Sequence, residues 1–200
     1  MESERLHAAE GCGEVMALLA NLRVRSRSVR PSLLPLLELR SAALTLRSGH
    51  GLAPTGSGTV CFVAEGRPGE GTEAEFVAGL AGDSVRRNVV NHDGLGRTIV
   101  RCWRENGDLG WLLDDLADVN ERLAQAGFAS WLLHTTVDFA ELRDMRHPKL
   151  TMVYRRERGT FYPYAPRGTR GRDRAMELKI RSSLTRIVPM ESDIGRWRPV

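Results

Sequence analysis

Between Asp108 and Ala126, Leu109, Leu112, Leu116, Val119 and Leu123 recur in steps of three and four, the spacing of one helical face. Asp108 can cap this helix and Gly127 can end it. A second helix is predicted over Asp173–Arg186, where Met176, Ile180 and Leu184, with Ile187 beyond, form the stripe. Ser41–Gly49 reads as another, with Ser41 as cap and Gly49 as stop. Thr72 and Glu75 make a capping box ahead of a short helix over Thr72–Leu80. Near the start, Val15, Met16, Leu18, Leu19 and Leu22 share a helical face, and Arg23, Arg25, Arg27 and Arg30 follow.

Strand-like runs fill the intervals. Thr59–Ala64 is continuously apolar, which predicts burial on both faces. Ser84–Asn91 and Arg97–Arg104 flank NHDGLG, whose Asp-Gly is a hairpin signal. Ser130–Phe139, Leu150–Arg155 and Thr160–Tyr164 complete six strands, with a turn at Arg158-Gly159 between the last two. Gly51–Gly58, GLAPTGSG, reads as a turn-rich loop. Strands come in adjacent pairs without βαβ alternation. This favours an α+β fold, mainly an antiparallel sheet of about six strands with helices packed on it. Residues 1–30 read as a partly flexible N-terminal arm and 31–200 as the folded domain. The arm's apolar-then-basic helix suits either a membrane interface or packing on its own domain. Met1–Glu14 reads as an extra piece of that arm, with Met16 as an alternative start.

Composition narrows the setting. No apolar run approaches the roughly 18 residues of a membrane span, and the acidic opening MESERLHAAE argues against a secretory leader. Cys12, Cys61 and Cys102 are odd in number and lack CxxC spacing, which suits reduced thiols in a cytoplasmic protein. Charge is uneven. Residues 143–200 hold 15 Lys+Arg and 6 Asp+Glu, a net of +9, whereas residues 1–142 are at −5 within a total of +4. A cationic end on an acidic body attracts anions: phosphates, anionic headgroups or an acidic protein.

No chemistry-bearing motif stands out. GxSxG, HExxH and Cys/His clusters are missing, and the histidines are scattered. No catalytic residue, metal ligand or cofactor site is assigned, and the protein leans away from being an enzyme. GLGRT at Gly94–Thr98 suits a hairpin turn better than a phosphate loop. The dense feature is RERGTFYPYAPRGTRGRDRAMEL, Arg156–Leu178. Phe161 and Tyr162 alternate across a strand, and Pro163 marks an edge. Phe161 is expected buried, with Tyr162 and Tyr164 partly exposed. Tyr164, Ala165 and Pro166 continue as an extended corner, and Arg167, Arg170, Arg172 and Arg174 flank the last helix's N-terminus. That end could bind an anion or nucleotide, or the arginines could pair with Asp173, Glu177, Glu191 or Asp193. A structural corner with a charged rim is the favoured reading. Removing Arg170 and Arg172 side chains is then expected to spare stability and weaken partner binding. Weak nucleic-acid binding is a minor alternative, since the motifs of RNA-binding sheets are missing.

Several blocks carry a likeness. They are SAALTLRSGHGLAPTGSGTVCF (Ser41–Phe62), DVNERLAQAGF (Asp118–Phe128), VYRRERGTFYPYAP (Val153–Pro166), RDRAMELKIR (Arg172–Arg181) and the closing ESDIGRWRPV. With them the chain resembles the PspA-associated protein PspAB family, from about Pro31 to the end. Leu95 stands where the resemblance leads one to expect an aromatic. The resemblance implies a setting, the phage-shock envelope-stress system built round PspA, and a link to a membrane protease of the HtpX type. It implies no catalytic residues. Phe161, Tyr162, Pro163, Pro166, Asp173, Glu177 and Arg181, with Arg196 and Trp197 of the closing block, become candidate interaction or structural positions. The expected protein is a non-enzymatic cytoplasmic adaptor, peripheral to the inner face of the membrane, touching acidic partners or an anionic surface through its basic C-terminal end.

Overall fold

The computed structural model describes residues 32–63, 79, 87–93, 95–168 and 171–200. The expected N-terminal arm, the Thr72–Leu80 helix apart from Gly79, and Arg170 lie outside these residues.

Helix α1 is Leu34–His50, starting seven residues before the expected Ser41. Pro35 sits in its first turn, where a missing N–H costs nothing. Ser32 Oγ accepts the Leu34 N–H at 3.1 Å. Gly51, not Gly49, ends the helix, in the left-handed region at φ 66°. Leu36, Leu39, Ala42, Ala43 and Leu46 face the core, so the apolar stripe begins five residues ahead of the serine.

Strand β1, Leu52–Val63, absorbs the stretch expected as a loop. Its glycines serve close approach rather than a turn. Gly56 has φ 80°, and a Cβ there would stand 2.1 Å from the Arg104 carbonyl oxygen. The Arg104 N–H donates back to the Gly56 carbonyl at 2.8 Å. A Cβ on Gly58 would meet the Thr136 carbonyl at 2.6 Å and Leu116 at 2.8 Å. A register shift between Pro54 and Gly58 marks the bulge that accommodates this.

The remaining strands are β2 (Arg87–His92), β3 (Arg97–Trp103), β4 (Leu132–Glu141), β5 (Asp144–Arg155) and β6 (Thr160–Tyr164). They join β1 in one six-stranded sheet of order β2-β3-β1-β4-β5-β6, with every neighbouring pair antiparallel. The fold is α+β. The β2–β3 hairpin forms as expected, with His92 ending β2 rather than lying in the turn. Helices α2 (Leu109–Leu123) and α3 (Arg174–Leu184) join α1 against one face of the sheet. Asp108 caps α2 by accepting the Trp111 N–H at 3.1 Å, and the break beyond the helix falls at Gly127.

Register separates the faces. Val60, Val100, Val137, Met152, Tyr154 and Phe161 join the helices' apolar stripes in the main core. Two polar links lock helix to sheet. Buried Asn120 donates from Nδ2 to Thr135 Oγ1 at 2.9 Å, and Arg104 donates from Nη2 to buried Asp115 at 2.7 Å. The opposite face carries Thr59, Cys61, His134, Thr136, Asp138 and Val153. Thr59 and Thr136 face each other across β1 and β4, Oγ1 to Oγ1 at 2.7 Å.

Candidate interaction surface

The motif-dense stretch builds one corner of this sheet. Strand β6 is an edge strand, as Pro163 requires, and its outer side is closed by the returning tail. The Phe161 N–H donates to the Pro189 carbonyl at 2.8 Å, and the Glu191 N–H donates to the Phe161 carbonyl at 2.7 Å. The Phe161 ring enters the main core beside Tyr154, 4.9 Å between centroids. Tyr162 points to the opposite face, where it was expected to be partly exposed. It is buried, because Trp197 from the tail stacks on it at 6.2 Å and Val153 packs beside both. The Tyr162 hydroxyl donates to the Arg198 carbonyl at 3.1 Å. Burial pushes its pKa up, although Arg155, Arg172 and Arg198 pull the other way. Rings closed on both sides offer no stacking platform for bases.

Beyond β6, Pro166–Arg167 (β7) and Gly171–Arg172 (β8) form a two-stranded ribbon leading into α3. Asp173 caps α3, accepting the Met176 N–H at 2.9 Å. Glu177 is fully buried. Its carboxylate accepts the Ala165 N–H at 2.9 Å, Arg172 Nε at 2.8 Å and Arg174 Nη1 at 3.3 Å. Arg172, only 11% exposed, also donates to the Trp197 carbonyl at 2.8 Å and lies over the Tyr164 ring at 4.8 Å. The position where an anion was the alternative reading is thus filled by the chain's own carboxylate, the pairing of Arg172 and Arg174 with Glu177. Arg172 is part of the scaffold, which corrects the expectation that its loss spares stability. Pro163 is buried and Pro166 exposed. Arg181 is half-exposed on α3, with its carbonyl taken by Thr185 Oγ1.

A cluster of arginines, three of them paired with carboxylates, lies next to this corner. Arg155, Arg158, Arg196 and Arg198 line a cleft of about 370 Å³ with Tyr162. Two carboxylates, Glu157 and Glu191, share its wall. Arg158 donates from Nε to Glu191 at 2.7 Å, and the Asp193 N–H reaches the other oxygen at 3.1 Å. Burial pulls the Glu191 pKa up, but the Asp193 N–H, Arg158 and Arg196 outweigh it and hold Glu191 below its ordinary value. Arg155 pairs with the exposed Glu157 through Nη2, while its buried Nε finds no acceptor among the described residues. Arg196 holds Asp193 at 3.1 Å in an exposed pair, and Arg198 is exposed. Sequence reading singled out Arg196 but missed Arg155, Arg158 and Arg198, which come together only when the tail folds back on β6.

The polar face brings Cys61 opposite His134 across β1 and β4. Burial holds the Cys61 thiol up at about 11, and burial with Arg155 and Arg97 holds His134 down at about 4. A protonated thiol beside a neutral imidazole is not an activated nucleophile at neutral pH. No group of three His, Cys, Asp or Glu among the described residues is placed to hold a metal. No helix among them is long and apolar enough to cross a membrane.

Fold and sheet topology together define an α+β domain with an arginine-lined cleft beside its edge strand. The chain belongs to the PspAB family, PspA associated protein B, whose family model matches residues 16–200. No curated protein and no solved structure matches it.

Proposed function

We propose that this protein is a non-enzymatic adaptor of the PspA membrane-stress response that acts by protein contact through its basic C-terminal surface. The family match over residues 16–200, with a name that records association with PspA, carries this reading. The net +9 of residues 143–200 supports an acidic partner. A membrane protease of the HtpX type and an anionic membrane surface are further partners in the same setting, at the cytoplasmic side.

The test is binding of the purified full chain to a purified PspA-type protein, followed by calorimetry at two salt concentrations. Complex formation that weakens as salt rises is expected. No complex at low salt, with the protease also failing as a second bait, overturns the reading.

A further inference from the structure

We infer that the cleft between β6 and the tail is a carboxylate-recognition site that takes acidic side chains from a partner protein segment. This rests on the protein-contact reading above and gives that contact a place and a chemistry. Three observations carry it. First, four guanidinium groups line the cleft against Glu157 and Glu191 on its wall and Asp193 on Arg196, which leaves one positive charge in excess. Second, the buried Arg155 Nε has no acceptor among the described residues. A buried donor of this kind is costly unless something meets it, and it belongs to a residue that lines the cleft. Third, the internal carboxylates use few of the available donors. Each guanidinium has five N–H groups. Arg158 spends Nε on Glu191, Arg196 spends Nε on Asp193, and Arg155 spends Nη2 on Glu157.

Two features suit carboxylates on a protein. Planar forks match carboxylates in bidentate fashion, and the cleft already holds one carboxylate of the chain, Glu191, with one oxygen on the Arg158 guanidinium and the other on the Asp193 N–H. The exposed rim pair Arg155–Glu157, with Glu157 60% exposed, is weak and can exchange one carboxylate for another. A volume of about 370 Å³ lies at the small end of ligand pockets, which run from ~300 to 1,000 Å³. It holds one or two acidic side chains rather than a whole helix.

The experiment uses the full chain and a fluorescent peptide rich in Glu and Asp, beside its Gln and Asn counterpart. The acidic peptide is expected to bind at least about tenfold tighter than the amide peptide. Arg198→Glu is expected to remove most of that difference. It leaves the Tyr162 hydroxyl bond intact, because that bond uses the backbone carbonyl of residue 198. Arg143→Glu is the control, an exposed arginine in the β4–β5 turn, roughly 35 Å along β5 from Arg155 at the rise of an extended strand. Equal loss in the two variants, or equal affinity for both peptides, overturns the inference. So does Arg198-dependent binding of phosphatidylglycerol vesicles without peptide binding, which points to a headgroup site. Failure of the peptide while the PspA-type protein still binds overturns the cleft and leaves the adaptor reading standing.

Discussion

Replacing Glu177 with alanine tests whether the motif block is scaffold. The fully buried carboxylate holds the Ala165 N–H, Arg172 Nε and Arg174 Nη1. Arg174 is 48% exposed and loses little when water replaces its partner. Arg172, 11% exposed, is left as an unpaired buried cation, and the Ala165 N–H loses its acceptor. Breaking a buried pair from one side costs about 3–5 kcal/mol. In a chain of this size each kcal/mol lowers Tm by about 2–4 °C, so a fall of roughly 6–20 °C is expected. Arg172 also holds the Trp197 carbonyl, so the tail loosens with it. Urea unfolding followed by circular dichroism measures the loss, and Trp fluorescence follows the tail, since Trp197 is buried whereas Trp103, Trp111 and Trp131 are not. The double variant Arg172→Met with Glu177→Leu is expected to recover much of the stability, because it removes both charges at once. A Glu177→Ala protein within about 1 kcal/mol of the parent refutes the argument, since no buried ion pair costs so little to break.

Gly56→Ala is expected to cost at least about 2 kcal/mol, because φ 80° is strained for alanine and the new Cβ meets a backbone carbonyl that cannot swing away; unchanged urea stability refutes the close approach. His134 supplies a pH test. Burial, then Arg155 and Arg97, lower its folded-state pKa from 6.5 to about 4, so between these values the unfolded chain binds the extra proton. Its contribution to stability is therefore intact above pH 6.5 and falls as pH drops towards 4, by at most about 3 kcal/mol. His134→Asn is expected to flatten the pH 7-to-4 difference in unfolding free energy by part of that amount. Asp138, whose pKa burial raises, acts with the opposite sign in both proteins and cancels from the comparison. Equal slopes refute the burial of His134 as the cause.

What the sequence revealed follows the range of the forces involved. Helix α2 was legible because its period, Asp108 cap and Gly127 stop are all local. The six strands and their antiparallel character were legible, and β2–β3, β4–β5 and β5–β6 join neighbours along the chain, whereas the place of β1 between β3 and β4 has no local signal. Gly51–Gly58 misled because glycine, proline and serine mark turns and tight packing alike. Gly56 and Gly58 are required by Arg104 and Leu116, dozens of residues away. Tyr162 misled for a similar reason. Alternation along β6 puts it on the second face, but whether that face is open depends on Trp197, 35 residues later.

The charge split is the instructive case, because its sum and its location separate. A net of +9 attracts anions wherever it lies, yet the arginines nearest α3 are consumed by Glu177 inside the corner. Arg198, where the tail crosses β6, is exposed and lies beside Arg155 in the cleft. The corner and the cleft are therefore coupled. Arg172 holds the backbone of Trp197, and Arg198 follows one residue later. If the cleft is the contact, a substitution in the corner is expected to weaken binding by unfastening the tail, and one at Arg198 to weaken it at constant stability. Binding and melting measured on the same variants thus separate scaffold from contact, with Glu177→Ala moving both and Arg198→Glu moving binding alone.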